Sequence, residues 1–179
     1  MNINEMIAHA EMIATKYVDD GVLDLKYNGN NKSGCSRLCE VIDDYAFKAV
    51  HSSRNASQNR SEWDFYCMTT DAIRKMLAKP VYISRNGNVL VMERITPGIY
   101  EYGFCDRIES ATQEAHGFKI TDLHNGNLGT THDGRSVVCD YGSIEWKVSE
   151  SDPEYRKVFK GKYCKTRLGV ILRQEAISF

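Results

Sequence analysis

The sequence predicts an α+β fold, with a small antiparallel sheet and helices in the first half and a mainly helical second half. Three observations lead there. Apolar residues recur at helical spacing near the start of the chain, two pairs of short strand-like runs are joined through turn residues, and helical periodicity returns after Pro97-Gly98. The 179 residues are enough for one compact domain, or for one domain built from two small lobes around a cleft.

Met6, Ile7, Ala10, Ile13, Ala14 and Tyr17 fall on one helical face, which predicts a helix over about residues 4–18. The run Asn28-Gly29-Asn30-Asn31-Lys32-Ser33-Gly34 interrupts it as a turn or loop. Cys35–Glu40 and Tyr45–Val50 read as two strands joined through Asp43-Asp44. After a polar stretch from His51 to Asn59, residues 60–66 read as a helix. A second short helix follows, capped by Thr70 and apolar at Ile73, Met76 and Leu77. Val81–Ile83 and Val89–Met92 flank Asn86-Gly87, a strong hairpin signal. A helix over residues 105–116 buries Ile108, Ala111 and Ala115 and stops at Gly117. Another hairpin runs from Asn127–Gly129 to Val137–Cys139 around His132-Asp133-Gly134, and the tail between Pro153 and Glu175 holds one or two further helices.

Composition narrows the function. Twenty-three basic and 24 acidic residues leave a formal charge of −1, which gives no bulk attraction to nucleic acid or an anionic membrane. No apolar run approaches the ~20 residues that span a bilayer, and the opening residues have neither the basic start nor the apolar core of a signal peptide. The six cysteines are scattered without a C-x-x-C pair, as expected of reduced thiols in a cytoplasmic protein rather than of a zinc or disulfide framework.

The chemistry concentrates in Thr121-Asp122-Leu123-His124-Asn125-Gly126-Asn127, followed after twelve residues by Asp140-Tyr141-Gly142. Two carboxylates and an amide at the ends of a short hairpin can hold a divalent metal through oxygen and leave one carboxylate to accept a proton. Singly, Asp, Asn and Gly are ordinary turn formers. The joint spacing D-x-x-x-x-N then D-x-G resembles the catalytic loop and metal motif of the protein-kinase-like superfamily.

Further residues carry that resemblance upstream, in the same chain order. Ala46-Phe47-Lys48 is similar to the A-x-K of the third strand, and Glu62 to the helix glutamate that pairs with that lysine. Met92-Glu93-Arg94-Ile95 looks like a gatekeeper and hinge, and Ser33-Gly34-Cys35-Ser36-Arg37-Leu38-Cys39 like a reduced glycine-rich loop. The resemblance covers roughly residues 25–146. It implies a single two-lobed domain over residues 1–179, with a small-sheet lobe over 1–95 and a reduced, mainly helical lobe over 96–179. It also implies ATP and Mg²⁺ as cofactors. Lys48, oriented by Glu62, would contact phosphates beneath Gly34 and Ser36, while Asn127 and Asp140 would hold Mg²⁺. Asp122 would take the proton of the acceptor. Cys39, Ala46 and Met92 would surround adenine, with backbone groups of Glu93 and Ile95 at its edge.

The departures shape the functional expectation. Ile120-Thr121 stands where the family usually has His-Arg before the aspartate. Only Gly34 remains of the loop glycines, and Gly129 replaces a large apolar residue beneath adenine. No A-P-E motif occurs, and 37 residues follow Gly142 where ordinary kinases continue for over ~100. The form is similar to compact kinase-like proteins of bacteriophages and bacteria. Three readings follow: a minimal serine/threonine protein kinase, a small-molecule kinase on the strength of Asp122-Leu123-His124, and a kinase-like module that inhibits or redirects a partner protein. The expected partner is a protein substrate or target, without membrane or nucleic acid. The basic, apolar-interleaved tail from Arg156 to Arg173 is the expected contact surface.

Overall fold

The computed structural model describes residues 1–20, 32–33, 37–50, 56–120, 122–142 and 144–145. Of the loop expected over 28–34, Lys32–Ser33 form a short strand instead, and residues 28–31 and Gly34 lie outside the described residues, as do Ser36, residues 51–55 and the tail on which further helices and a basic surface are expected.

Helix α1 spans Ile3–Asp20, and the strands β1 (Lys32–Ser33), β2 (Arg37–Ile42) and β3 (Tyr45–Val50) follow. Next come α2 (Ala56–Met68), the short α3 (Asp71–Arg74), β4 (Pro80–Ile83), β5 (Val89–Glu93) and β6 (Ile95–Pro97). The chain continues through α4 (Phe104–His116), β7 (Lys119–Ile120), β8 (Leu128–Thr131), β9 (Ser136–Val138) and β10 (Ile144–Glu145). Strands β1 to β5 form one antiparallel sheet in the order β1-β2-β3-β5-β4. Two smaller antiparallel sheets, β6-β8-β9 and β10-β7, belong with α4 to the second half. The α+β class and the small antiparallel sheet are as expected, while the second half, expected to be mainly helical, holds α4 beside five short strands among the described residues.

Strand periodicity assigns the two faces of the main sheet. Phe47, Ala49, Val89 and Val91 point one way and are fully buried under α1, against Met6, Ala10, Ile13 and Ala14. The apolar stripe that predicts α1 is therefore a lid on the outer face of the sheet. The opposite face carries Cys39, Lys48 and Leu90 in one cross-strand row and Ala46 and Met92 in the next. Leu90 and Met92 join Phe65, Leu77, Phe104, Ile108, Phe118, Leu128 and Tyr141 in a core that continues into the second half.

Local signals act where they were expected. The Thr70 side chain caps α3 through the Ile73 amide, and Gly117 ends α4 in the left-handed conformation with φ 70°. Helix α2 begins four residues earlier than the sequence indicates and includes the last part of the polar stretch. The reason is Asn59, which is buried: its amide donates to the carbonyls of Lys48 (3.2 Å) and Gly87 (3.0 Å). A polar side chain thus anchors the helix to the sheet, where hydrophobic periodicity shows nothing.

The expected lobe boundary between Ile95 and Thr96 falls inside β6, which pairs with β8. The approach is close at Gly129: a Cβ there would fall on the Thr96 carbonyl and lie 2.8 Å from Ile95 Cδ1. Backbone contact between the two strands thus requires a glycine at this position. Further ties join the halves at the Leu77–Val138 bridge, where the Ala78 amide donates to the Val138 carbonyl (2.9 Å) and the Val138 amide to the Met76 carbonyl (3.0 Å). Glu93 and Arg135 add an ion pair at 2.9 Å. No helix among the described residues is long and apolar enough to cross a membrane.

Candidate functional site

Four charged side chains, from β2, β3, α2 and the segment that follows β9, meet beneath the main sheet. Lys48 leaves β3 on its inner face, and its Nζ donates to Glu62 Oε2 of α2 at 2.9 Å. The same ammonium donates to the Cys139 carbonyl, next to Asp140. Arg37 enters from β2, two residues before Cys39 and so on the same face. Its Nη2 donates to Glu62 Oε1 and to Asp140 Oδ1, both at 2.6 Å, and its Nη1 to Asn59 Oδ1 at 3.1 Å. Glu62 is wholly inaccessible, Arg37 is 6% exposed and Asp140 29% exposed.

Two cations and two carboxylates balance, as burial demands. Burial alone would push the Asp140 carboxyl up, but Lys48 and Arg37 beside it hold it well below the usual carboxylate range. Burial likewise opposes the charged guanidinium of Arg37, and Glu62 and Asp140 override that and keep it charged. The Cys139 thiol, desolvated and with only Lys48 favouring its thiolate, is pushed up to about 11.

The loop from Asp122 to Asn127 approaches from the second half. Asp122 adopts the left-handed conformation at φ 66°, which aspartate tolerates better than most side chains. Asn127 Nδ2 donates to the Asp122 carbonyl (2.9 Å) and to Asp122 Oδ2 (3.2 Å), which leaves Asn127 Oδ1 as the acceptor end of that amide. His124 lies with Nε2 3.6 Å from Asp122 Oδ1, and its Nδ1 accepts from the Gly126 amide. The Asp122 side chain remains 58% exposed. The Cys139 amide donates to the Asn127 carbonyl at 2.8 Å, which brings the Asp140 backbone alongside this loop.

The structure therefore brings Lys48, Glu62, Asp140, Asn127 and Asp122 into one connected region, with Cys39, Ala46 and Met92 on the sheet face that carries Lys48. At the strand end, the Glu93 amide donates to the Lys79 carbonyl (2.9 Å), so only its carbonyl can turn to a ligand, while Ile95 lies in β6. Gly34 and Ser36 lie outside the described residues. In the sequence, Arg37 stands only within the segment that resembles a glycine-rich loop, and Asn59 only as the end of a polar stretch. For Arg37 a signal existed: alternation along β2 puts it on the same face as Cys39. A groove of about 580 Å³ lined by residues such as Tyr100, Phe104 and Arg107 shares none of these side chains.

Asp140 and Asn127 offer hard oxygen donors of the kind Mg²⁺ takes, and such sites are ordinarily completed by phosphate oxygens and water. Among the described residues no group of three or more His, Cys, Asp or Glu could hold a metal by itself. The donor set thus fits a metal that arrives with a phosphate ligand. On the same face Cys39 and Ala46 are small, apolar and half-buried and would leave room for a flat ring, with Met92 buried in the core beside them.

The glycine of D-x-G has a steric role. A Cβ on Gly142 would lie 2.8 Å from Gln58 Cγ, 3.1 Å from the Gln58 carbonyl and 3.2 Å from Glu62 Cγ. The Gly142 amide also donates to Glu62 Oε1 at 3.3 Å. Gly142→Ala should push α2 away and displace the glutamate that holds Lys48 and Arg37. The expected result is a loss of about 1–3 kcal/mol in chemical unfolding, typical of overpacking. A variant as stable as the parent would show that α2 yields without cost.

No family model matches the chain, and no curated protein matches it. Among solved structures it is similar to a high-resolution crystal structure of WbdD, at 16% identity and TM-score 0.49, covering 82% of this chain and 45% of that one. A co-crystal structure of WbdD with the kinase inhibitor LY294002 matches at 16% identity and TM-score 0.47, over 81% and 44%. A third, described as the bifunctional kinase-methyltransferase WbdD, matches at 16% identity and TM-score 0.38, over 79% and 43%. The chain spans less than half the length of the structures it matches.

Proposed function

We propose that the chain is an ATP- and Mg²⁺-dependent phosphotransferase of the protein-kinase-like type, acting on a serine or threonine hydroxyl of a protein substrate. The lobes on this reading are residues 1–95 and 96–179, with the cleft between them. One observation carries it: Lys48 of the sheet is bonded at once to Glu62 and to the Cys139 carbonyl, beside Asp140 and the Asp122–Asn127 loop. A charge-paired lysine, a carboxylate and amide with oxygen donors, and a separate exposed carboxylate are the parts that phosphoryl transfer needs.

Lys48, held by Glu62, binds the α- and β-phosphates of ATP. Cys39, Ala46 and Met92 enclose the adenine, with the Glu93 carbonyl and the Ile95 backbone at its edge. Asp140 and Asn127 hold Mg²⁺, which when bound offsets charge on the phosphate oxygens. Asp122 orients the acceptor hydroxyl and takes its proton as the new O–P bond forms and the bond to the departing ADP breaks. The reaction draws on the cellular ATP pool, so a cytoplasmic location belongs to the same proposal.

A second reading, a kinase-like module that captures a partner without turnover, is favoured by the Arg37–Asp140 ion pair, which engages the metal carboxylate. Incubation with γ-labelled ATP and Mg²⁺, alone and with cell lysate, separates the readings. Label on protein serine or threonine, lost in Asp140→Asn, is the expected result. Label confined to small molecules would point to a small-molecule kinase. Nucleotide binding without transfer would leave the capture module, and no nucleotide binding would overturn the phosphotransferase proposal.

A further inference from the structure

Arg37 is the one member of the charged cluster with no role in the reaction just described. It is not a peripheral residue. Its guanidinium is buried, and Nη2 divides its donors between Glu62 and Asp140 while Nη1 holds Asn59. The lysine–glutamate pair would be neutral without it, and Asp140 would stand as an unpaired carboxylate able to attract a divalent cation. With Arg37 present the cluster is already neutral, and one of the two Asp140 oxygens is occupied by a guanidinium donor. A free metal ion arriving alone would have to displace that donor and leave a buried guanidinium with one carboxylate fewer.

We infer that Arg37 is a phosphate-binding residue that exchanges Asp140 for nucleotide phosphate, so that metal and nucleotide enter the site together. This rests on the phosphotransferase reading of the same site. The Arg37 guanidinium projects from β2, two residues before Cys39, on the face that carries Lys48. A planar donor suits phosphate oxygens at least as well as a carboxylate. Glu62 and Asn59 retain the guanidinium while its third partner changes, so the exchange needs one hydrogen bond to move and no rearrangement of the sheet. Released from Arg37, both Asp140 oxygens become available to the metal that accompanies the phosphates.

The experiment measures Mn²⁺ binding by paramagnetic resonance in the full chain, with and without a non-hydrolysable ATP analogue, in the parent, Arg37→Gln and Arg37→Lys. The parent should bind Mn²⁺ alone at least about tenfold more weakly than Arg37→Gln does, a coupling typical of linked sites. That gain should vanish in Arg37→Gln/Asp140→Asn. With Mn²⁺ present, the analogue should bind Arg37→Gln about tenfold more weakly than the parent, and Arg37→Lys should fall between. Unchanged Mn²⁺ and analogue affinities in Arg37→Gln would overturn the inference. If the glutamine variant does not fold, the parent alone decides. Side-chain signals of ¹⁵N-labelled arginine should include one that shifts on adding the analogue together with Mg²⁺, and an unmoved set would overturn the exchange. Failure of the phosphotransferase reading looks different: the parent then binds no analogue at all, whatever its metal affinity.

Discussion

Asp122→Asn should bind ATP as tightly as the parent and lose transfer by a factor of about 10²–10⁴, the range that a positioned general base contributes. Asparagine is the informative replacement because residue 122 sits at φ 66°, a conformation that asparagine accepts and alanine does not. Its carbonyl can still receive the Asn127 amide, which reaches the Asp122 carboxylate at 3.2 Å, so the loop should keep its shape. What disappears is the exposed carboxylate that accepts a proton. Nucleotide affinity by calorimetry and single-turnover transfer would be measured side by side. Transfer at the parental rate would remove Asp122 from the mechanism, and a loss of nucleotide binding would mean that the loop itself had moved.

Glu62→Ala should be the most damaging change to the fold. Glu62 is wholly buried and accepts from Lys48, Arg37 and the Gly142 amide at 2.9, 2.6 and 3.3 Å. Its removal leaves two buried cations sharing Asp140 and a backbone carbonyl. Breaking a buried ion pair by deleting one partner costs about 3–5 kcal/mol, largely because the remaining charge stays desolvated. In a chain of this length that lowers the melting temperature by on the order of 10 °C. The companion test is Arg37→Met/Glu62→Ala, which removes one cation with the carboxylate, with Arg37→Met as the other single variant. The double variant should recover part of the loss, and the interaction energy of the cycle isolates the pair. Melting of Glu62→Ala at the parental temperature would contradict a buried charge cluster.

Legibility differs sharply between elements. Strand β3 runs over the residues that alternation indicates, Tyr45–Val50, and α4 stops at Gly117 in the left-handed conformation that a glycine cap adopts. These signals are local: each lies within one turn of helix or one hairpin. The site was partly legible for a different reason. Asp122, Asn127 and Asp140 are joined by a short hairpin, so sequence spacing approximates spatial spacing, and the inner face of β3 places Lys48 with Ala46.

What the sequence by itself determined is the set of elements with strong period or punctuation, together with the residue types at the ends of the β8–β9 hairpin. Tertiary structure alone decided which distant groups meet. Arg37 and Asp140 are 103 positions apart and bond at 2.6 Å, and Asn59 links α2 to β2, β3 and the turn at Gly87. Neither contact has a periodic signature, because a single polar side chain contributes nothing to a hydrophobic repeat. Its burial is tolerated only once partners from other strands have arrived to satisfy it. The same holds for Gly129 and Gly142. Nothing in the sequence shows what stands against them, and in the fold β6 approaches Gly129 and α2 approaches Gly142 too closely for a side chain.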